Sequence, residues 1–234
     1  MDRGRGCRRF GNHARSQRIQ FPASKPEDPR AQLAPRDMKL ILASASPRRA
    51  EVLRDAGIAF EAVSTNIDES PRSNESPEEL VIRLAEAKAR SAAARLLPIS
   101  GPAIVLGADT EVVADGPCGR QVLGKPASPQ DARAMLRRLS GRTHEVITGL
   151  FLIHLPGGVT RVEHETTRVT FAPLTDEEID AYVATGEPFD KAGAYAIQGR
   201  GGRYVTRVEG CYFNVVGLPL ARLYGHLREL GWQG

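Results

Sequence analysis

Three Ser-Pro pairs, at residues 46–47, 76–77 and 128–129, each stand directly ahead of a helical pattern, with apolar runs of strand type between them. Serine at an N-cap accepts a first-turn amide, and proline at N1 has no N–H to leave unpaired. Ser76-Pro77-Glu78-Glu79 adds a glutamate at N3 and so completes a capping box; Thr175-Asp176-Glu177-Glu178 is a second. Helix starts this well marked cut the chain into alternating units. Lys39–Ala43 reads as a strand, residues 47–56 as a helix closed by Gly57, and Phe60–Thr65 as a second strand. A helix runs from Pro77 to about Arg95, and Ala103–Ala114 is a strand with GADT in its middle. The Pro129 helix stops at Gly141. Two long strands, Thr143–Leu155 and Val159–Phe171, precede the Thr175 helix, which ends at Gly186. A glycine-rich loop, a strand near Tyr204–Val208 and a C-terminal helix from about Leu218 complete the pattern. Helices alternating with long antiparallel strands predict the α/β class: one mixed, twisted sheet with flanking helices.

The segment before Met38 does not share this pattern. Residues 1–37 carry eight arginines and Lys25 against Asp2, Glu27, Asp28 and Asp37, a net of +5. The whole chain has 32 basic and 28 acidic residues, so residues 38–234 hold 23 against 24 and are close to neutral. The basic balance belongs to the extension, and nucleic acid is not the expected partner of the body. Arg-, Pro- and Ser-rich and without apolar periodicity, residues 1–37 read as a disordered basic extension or the product of a misassigned start ahead of Met38. Residues 38–234 read as one domain. A hydrophobic fraction of 41% is enough for a core, and no apolar run reaches the ~18–20 residues of a membrane span. Cys7, Cys118 and Cys211 are odd in number and widely spaced, without a CxxC pair, which fits a reducing, cytoplasmic setting.

Six stretches carry candidate chemistry. In ILASASPRR, Ser46 and Pro47 begin a helix whose first turn holds Arg48 and Arg49. Basic residues oppose the helix dipole there unless an anion sits in front of them, so the stretch is either a capped helix with solvated arginines or a polyphosphate site. In LGADTEVV, Asp109 and Thr110 lie inside a buried-type strand, where a carboxylate must be paired, hydrogen-bonded or metal-bound. Lys88 falls on the apolar stripe of its helix with Leu80, Val81 and Leu84, either snorkelling at a rim or facing an anion. Glu69 follows the second strand, Lys125 sits in the turn LGKP, and Gln198 ends the small-residue run DKAGAYAIQG. There is no Walker lysine, no GxSxG elbow and no histidine spacing of a metal site. Cations for phosphates beside acids for a divalent metal point to chemistry on a nucleotide.

Taken in order, LILASASPRRAEVL, LGADTEVV, LGKP, LSGRTHEVITG, TGEPFDKAGAYAIQG and GCYFNVVGLPL resemble the successive motifs of the Maf family of nucleoside triphosphate pyrophosphatases, from about Lys39 to Leu220. The resemblance implies a cytoplasmic, often homodimeric enzyme that converts a nucleoside triphosphate to the monophosphate and pyrophosphate. Its fold would be similar to that of the inosine triphosphate pyrophosphatases, with a cleft between two lobes. It also implies a divalent cation, Mg²⁺ or Mn²⁺, with Asp109 as proton acceptor and Glu69 and Asp109 as the acids facing the metal. Arg48, Thr110 and Gln198 match substrate-specificity positions, and Arg49, Glu69, Lys88 and Lys125 match further polar positions of the cleft. On that footing Arg48, Arg49, Lys88 and Lys125 are expected to bind the triphosphate, and Asp109 with Glu69 to activate the water. DKAGAYAIQG is similar to the branch acting on dTTP and UTP rather than on 7-methyl-GTP. The competing expectation is a non-enzymatic nucleotide-binding regulator of septum formation.

Overall fold

In a computed structural model, the structure describes residues 38–233 apart from 99, 117 and 118. The reading of residues 1–37 as a disordered extension lies outside the described residues. The elements run β1 (Lys39–Ala43), α1 (Pro47–Asp55), β2 (Glu61–Ala62), α2 (Pro77–Leu96), β3 (Ala103–Gly116), β4 (Gly119–Leu123), α3 (Pro129–Leu139), β5 (Thr143–Leu155), β6 (Val159–Phe171), α4 (Asp176–Val183), β7 (Val205–Glu209), α5 (Tyr212–Val216) and α6 (Leu220–Glu229). All seven strands form one mixed sheet in the order β2-β1-β3-β5-β6-β7, with β4 also paired to β3.

The caps act as the local chemistry requires. The Ser76 and Thr175 side chains accept from the amides of Glu79 and Glu178, and both glutamates reach back to complete their boxes. Ser46 is the N-cap of α1 but makes no side-chain cap bond. Three readings change. The second strand is only two residues long, because β1 is its one partner and both residues are exposed. β4 and α5 carry no clear sequence signal: β4 is short and only Leu123 in it is buried, and α5 is a single apolar-rich turn and a half.

Two strands organise everything else. β3 and β5 pair antiparallel from Ala103↔Leu155 to Val113↔Glu145. One half of this ladder packs Leu40, Leu42, Ile104, Leu106 and Leu152 against α1 and α6. The other half packs Val112, Leu136, Phe171, Ile179 and Tyr182 between α3 and α4. These are the two lobes, joined by continuous strands rather than by a hinge.

The opposite edge of β3 is interrupted. β1 runs parallel along it from Ala103 to Gly107, and β4 runs antiparallel along it from Val112 to Gly116. Ala108 to Glu111 lie between, with no strand beside them on that edge. A crevice opens there, at the carboxyl end of β1, which is where open α/β sheets take their ligands.

Helix α2 crosses the sheet unusually closely over Gly107 and Gly149. A Cβ built on Gly107 would lie 2.0 Å from the Ala85 carbonyl oxygen, and one on Gly149 would lie 2.4 Å from that of Val81. Glycine is required at both because backbone meets backbone.

Candidate active site

The crevice is a cleft of about 660 Å³, lined from every neighbouring element. Ser44, Ser46, Arg48 and Arg49 come from the end of β1 and the start of α1; Asp109, Thr110 and Glu111 come from the open stretch of β3. Lys88 enters from α2, Glu69 from the loop before it, Lys125 from the turn after β4, and Tyr195 and Gln198 from the small-residue run. All eight sequence-derived candidates therefore reach one cavity, of a size that suits a small-molecule ligand.

Strand alternation divides them between two faces. Asp109 and Glu111 lie on the face toward α2. Because Gly107 lets α2 approach, Lys88 donates to Asp109 Oδ1 at 2.6 Å and pairs with Glu69 Oε1 at 2.7 Å. Lys88 and Asp109 are 8% and 6% exposed, so this is a buried ion pair, whereas Glu69 stands half in solvent. Asp109 Oδ2 is buried with no hydrogen-bond partner.

Glu111 was not singled out from the sequence, although its place two residues after Asp109 in a strand puts it on the same face. Its Oε2 is also buried and unpartnered. Burial, with Asp109 and Glu69 nearby, pushes its carboxyl up to about 8.

Thr110 points the other way, into a polar chain. Arg49, held in α1 beneath the cleft, donates through Nε to the Gly217 carbonyl at 2.8 Å. Its Nη1 donates to Ser44 Oγ at 3.2 Å and its Nη2 to Thr110 Oγ1 at 2.9 Å. Thr110 Oγ1 is 2.9 Å from Thr148 Oγ1, which donates to the Asn214 carbonyl at 3.3 Å. Asn214 is fully buried and donates to Val146 O and Thr167 Oγ1, tying α5 to β5 and β6. The motif GCYFNVVG thus shapes the cleft from behind by holding the carbonyl that receives Arg49. Burial lowers the Arg49 pKa, with Asp109 opposing the shift.

The two arginines of ILASASPRR therefore differ. Arg49 is 8% exposed and committed to three protein acceptors. Arg48 faces the cleft with one long bond, 3.5 Å, to the Asp190 carbonyl. Lys125 and Gln198 are exposed at the mouth and make no side-chain hydrogen bond among the described residues. Lys191, not anticipated from the sequence, lines the same wall but donates to the Glu187 carbonyl and pairs with Asp190.

Behind Tyr195 lies His144, 2% exposed, with Nε2 2.9 Å from the Tyr195 hydroxyl and its ring edge-on to Phe171 and Tyr195. Burial lowers its pKa to about 4, so the imidazole is neutral.

An interrupted parallel edge with a helix N-terminus, arginine and lysine on one side and buried carboxylates on the other defines an α/β protein that takes a polyanionic small ligand at its strand ends. Comparison with known proteins narrows this. The family model described as Maf-like protein matches residues 39–230, and the chain belongs to that family. It is 48% identical to a dTTP/UTP pyrophosphatase of Carboxydothermus hydrogenoformans, over 83% of this chain and 100% of that one. Proteins of the same description from Koribacter versatilis and Moorella thermoacetica are 53% and 54% identical, over 83% and 79% of this chain and 95% and 91% of theirs. A solved structure described as a nucleoside-triphosphatase, dITP/XTP pyrophosphatase, from Mycobacterium abscessus aligns over 82% of this chain and 94% of that one, at 16% identity and a TM-score of 0.40. A likeness that loose carries no argument. No helix among the described residues is long and apolar enough to cross a membrane.

Proposed function

We propose that this protein is a nucleoside triphosphate pyrophosphatase that hydrolyses dTTP and UTP to the monophosphate and pyrophosphate. The observation that carries the reading is Asp109: buried, with Oδ1 taken by Lys88 and Oδ2 free, in a cleft edged by Arg48 and Lys125. Family membership and relatives described as dTTP/UTP pyrophosphatases at about half identity support it.

In this reading Arg48 and Lys125 take the triphosphate, for which they have charge and open geometry. Arg49 orients the first turn of α1 through its three bonds. Water attacks the α-phosphorus and gives its proton to Asp109 Oδ2; the α–β bridging oxygen leaves with pyrophosphate. Lys88 holds Asp109 in place, so the accepting oxygen needs no rearrangement at the moment of attack. Gln198, with an amide that donates and accepts together, reads the O4/N3 edge shared by thymine and uracil, beside the Tyr195 wall.

A divalent cation, Mg²⁺ or Mn²⁺, belongs to the same reading, with Asp109 and Glu69 as its expected acids. Among the described residues no group of three or more metal-ligating side chains is gathered. The donors nevertheless fit a hard cation that enters on the nucleotide, since Mg²⁺ is commonly held by one or two carboxylates plus phosphates. When bound it would neutralise triphosphate charge. The reading further places the enzyme in the cytoplasm as a homodimer without a nucleic-acid partner, on the family resemblance and the near-neutral charge of residues 38–234.

The test is the purified chain with a panel of nucleoside triphosphates and Mg²⁺ or Mn²⁺, scoring both products. UTP and dTTP should lead, each giving monophosphate and pyrophosphate. Release of orthophosphate with a diphosphate, or no turnover of either nucleotide, overturns the proposal.

A further inference from the structure

Four carboxylates line the cleft; Asp190 is exposed and paired with Lys191, and the oxygens of the other three are not equivalent. Glu69 is half-exposed and bound to Lys88, and Asp109 has spent Oδ1 on the same lysine. The two cleft carboxylate oxygens that are buried and without a partner among the described residues are Asp109 Oδ2 and Glu111 Oε2. They come from alternate residues of β3, on the face toward α2, in the stretch where the strand edge is open. A buried carboxylate oxygen left unpaired is costly, and two from one strand face repel each other. The cations nearby relieve Glu111 only in part and neither pairs with it: Lys88 is committed to the other two acids, and Lys125 stands at the exposed mouth.

From this arrangement we infer that Glu111 is a ligand of the divalent cation, offering Oε2 to a metal that enters with the triphosphate. The inference rests on the pyrophosphatase reading above. It moves the cation from Glu69, whose charge Lys88 already answers, to the acid nothing answers. It also leaves Asp109 Oδ2 for the water proton, so the two neighbouring acids have separate tasks. A seat made of one strand residue and phosphate oxygens fits a site where no cluster of three protein ligands is gathered among the described residues. It further explains a glutamate at a strand position whose neighbours, Val112 and Val113, are both buried and apolar.

The deciding measurement is Mn²⁺ affinity, read by electron paramagnetic resonance of free Mn²⁺, with the full chain saturated by an α,β-methylene analogue of UTP that cannot be cleaved. Glu111→Gln should weaken Mn²⁺ binding about tenfold or more, by the removal of a ligand. Glu111→Asp should recover part of the loss, and Glu69→Gln should change it by less than about threefold, as for a half-exposed acid whose ion pair is worth little. Circular dichroism checks that the nearly isosteric Gln variant is folded; should it not be, the Asp variant reports on the same oxygen. Mn²⁺ affinity in Glu111→Gln equal to that of the wild type, or lost instead in Glu69→Gln, overturns the inference and leaves the pyrophosphatase reading standing. If the chain released no pyrophosphate but its Mn²⁺ affinity still depended on Glu111, the inference would stand and the pyrophosphatase reading would fall.

Discussion

Lys88 Nζ donates to Asp109 Oδ1 across 2.6 Å, from a helix face that the apolar pattern alone assigns to the core. The contact exists because α2 lies on two glycines of the sheet, close enough for a lysine four residues after Leu84 to reach a strand carboxylate. It fixes one oxygen of Asp109 and leaves the other for chemistry.

Removing one partner of a buried ion pair should cost about 3–5 kcal/mol, because the remaining charge is stranded. Lys88→Ala should show a loss of that order in urea unfolding. Lys88→Met combined with Asp109→Leu should recover much of the stability and none of the activity. Asp109→Asn should lower kcat on the order of 10²-fold or more while the fold persists. Near-normal turnover in Asp109→Asn would remove it from the proton-accepting role.

The adjacent arginines should separate by experiment. Arg49→Met leaves the Gly217 carbonyl, Ser44 and Thr110 without their donor, and should destabilise by about 2–3 kcal/mol. Arg48→Ala removes a group with one long bond, so stability should move by less than ~0.5 kcal/mol. Its KM for UTP should rise at least ~10-fold, as for loss of a charge-assisted phosphate contact. Equal effects on melting temperature from both substitutions would contradict this division.

Gly107→Ala forces a Cβ into the Ala85 carbonyl and should cost about 3 kcal/mol, the upper part of the range for overpacking. Gly149→Ala pushes the same helix at Val81, so the double variant should lose less than the sum of the singles. Lifting α2 also draws Lys88 from Asp109, and kcat should fall with stability. Additive losses would mean that the two contacts yield independently.

Acid should weaken the fold through His144. Its pKa is lowered to about 4 from an ordinary value near 6.5, so below that value the unfolded chain takes up a proton that the folded one refuses. The contribution is complete above about pH 6.5 and is lost as pH falls toward 4, up to about 3 kcal/mol. His144→Gln, which keeps a hydrogen-bonding group for Tyr195, should flatten the dependence of urea stability on pH between about 7 and 4.5. An unchanged slope would place the acid sensitivity elsewhere.

Much of this protein was legible in its sequence because the signals were local. A serine or threonine N-cap, joined by proline at N1 in α2 and α3 and by glutamate at N3 in α2 and α4, acts within one turn, and the three helices begin where those residues put them. The bounds of β1, β5 and β6 follow from apolar patterning alone. The eight candidate residues could be named because cations, acids and an amide inside apolar or small-residue runs have no packing reason to be there.

What each of them does was decided by tertiary contacts between distant segments. Which edge of β3 stays open depends on β1 and β4 stopping short of each other, and the four exposed-to-intermediate residues of β4 before Leu123 carry little sign of a strand. Arg48 and Arg49 are the same residue type side by side, yet helical geometry turns one to the cleft and the other to a carbonyl 168 residues away. Glu111 looks like any strand acid until the fold buries its Oε2 and leaves that oxygen no partner. Residue identity and local period are carried by neighbours in the chain. Burial, pairing and the electrostatics that follow from them exist only once the chain has closed on itself.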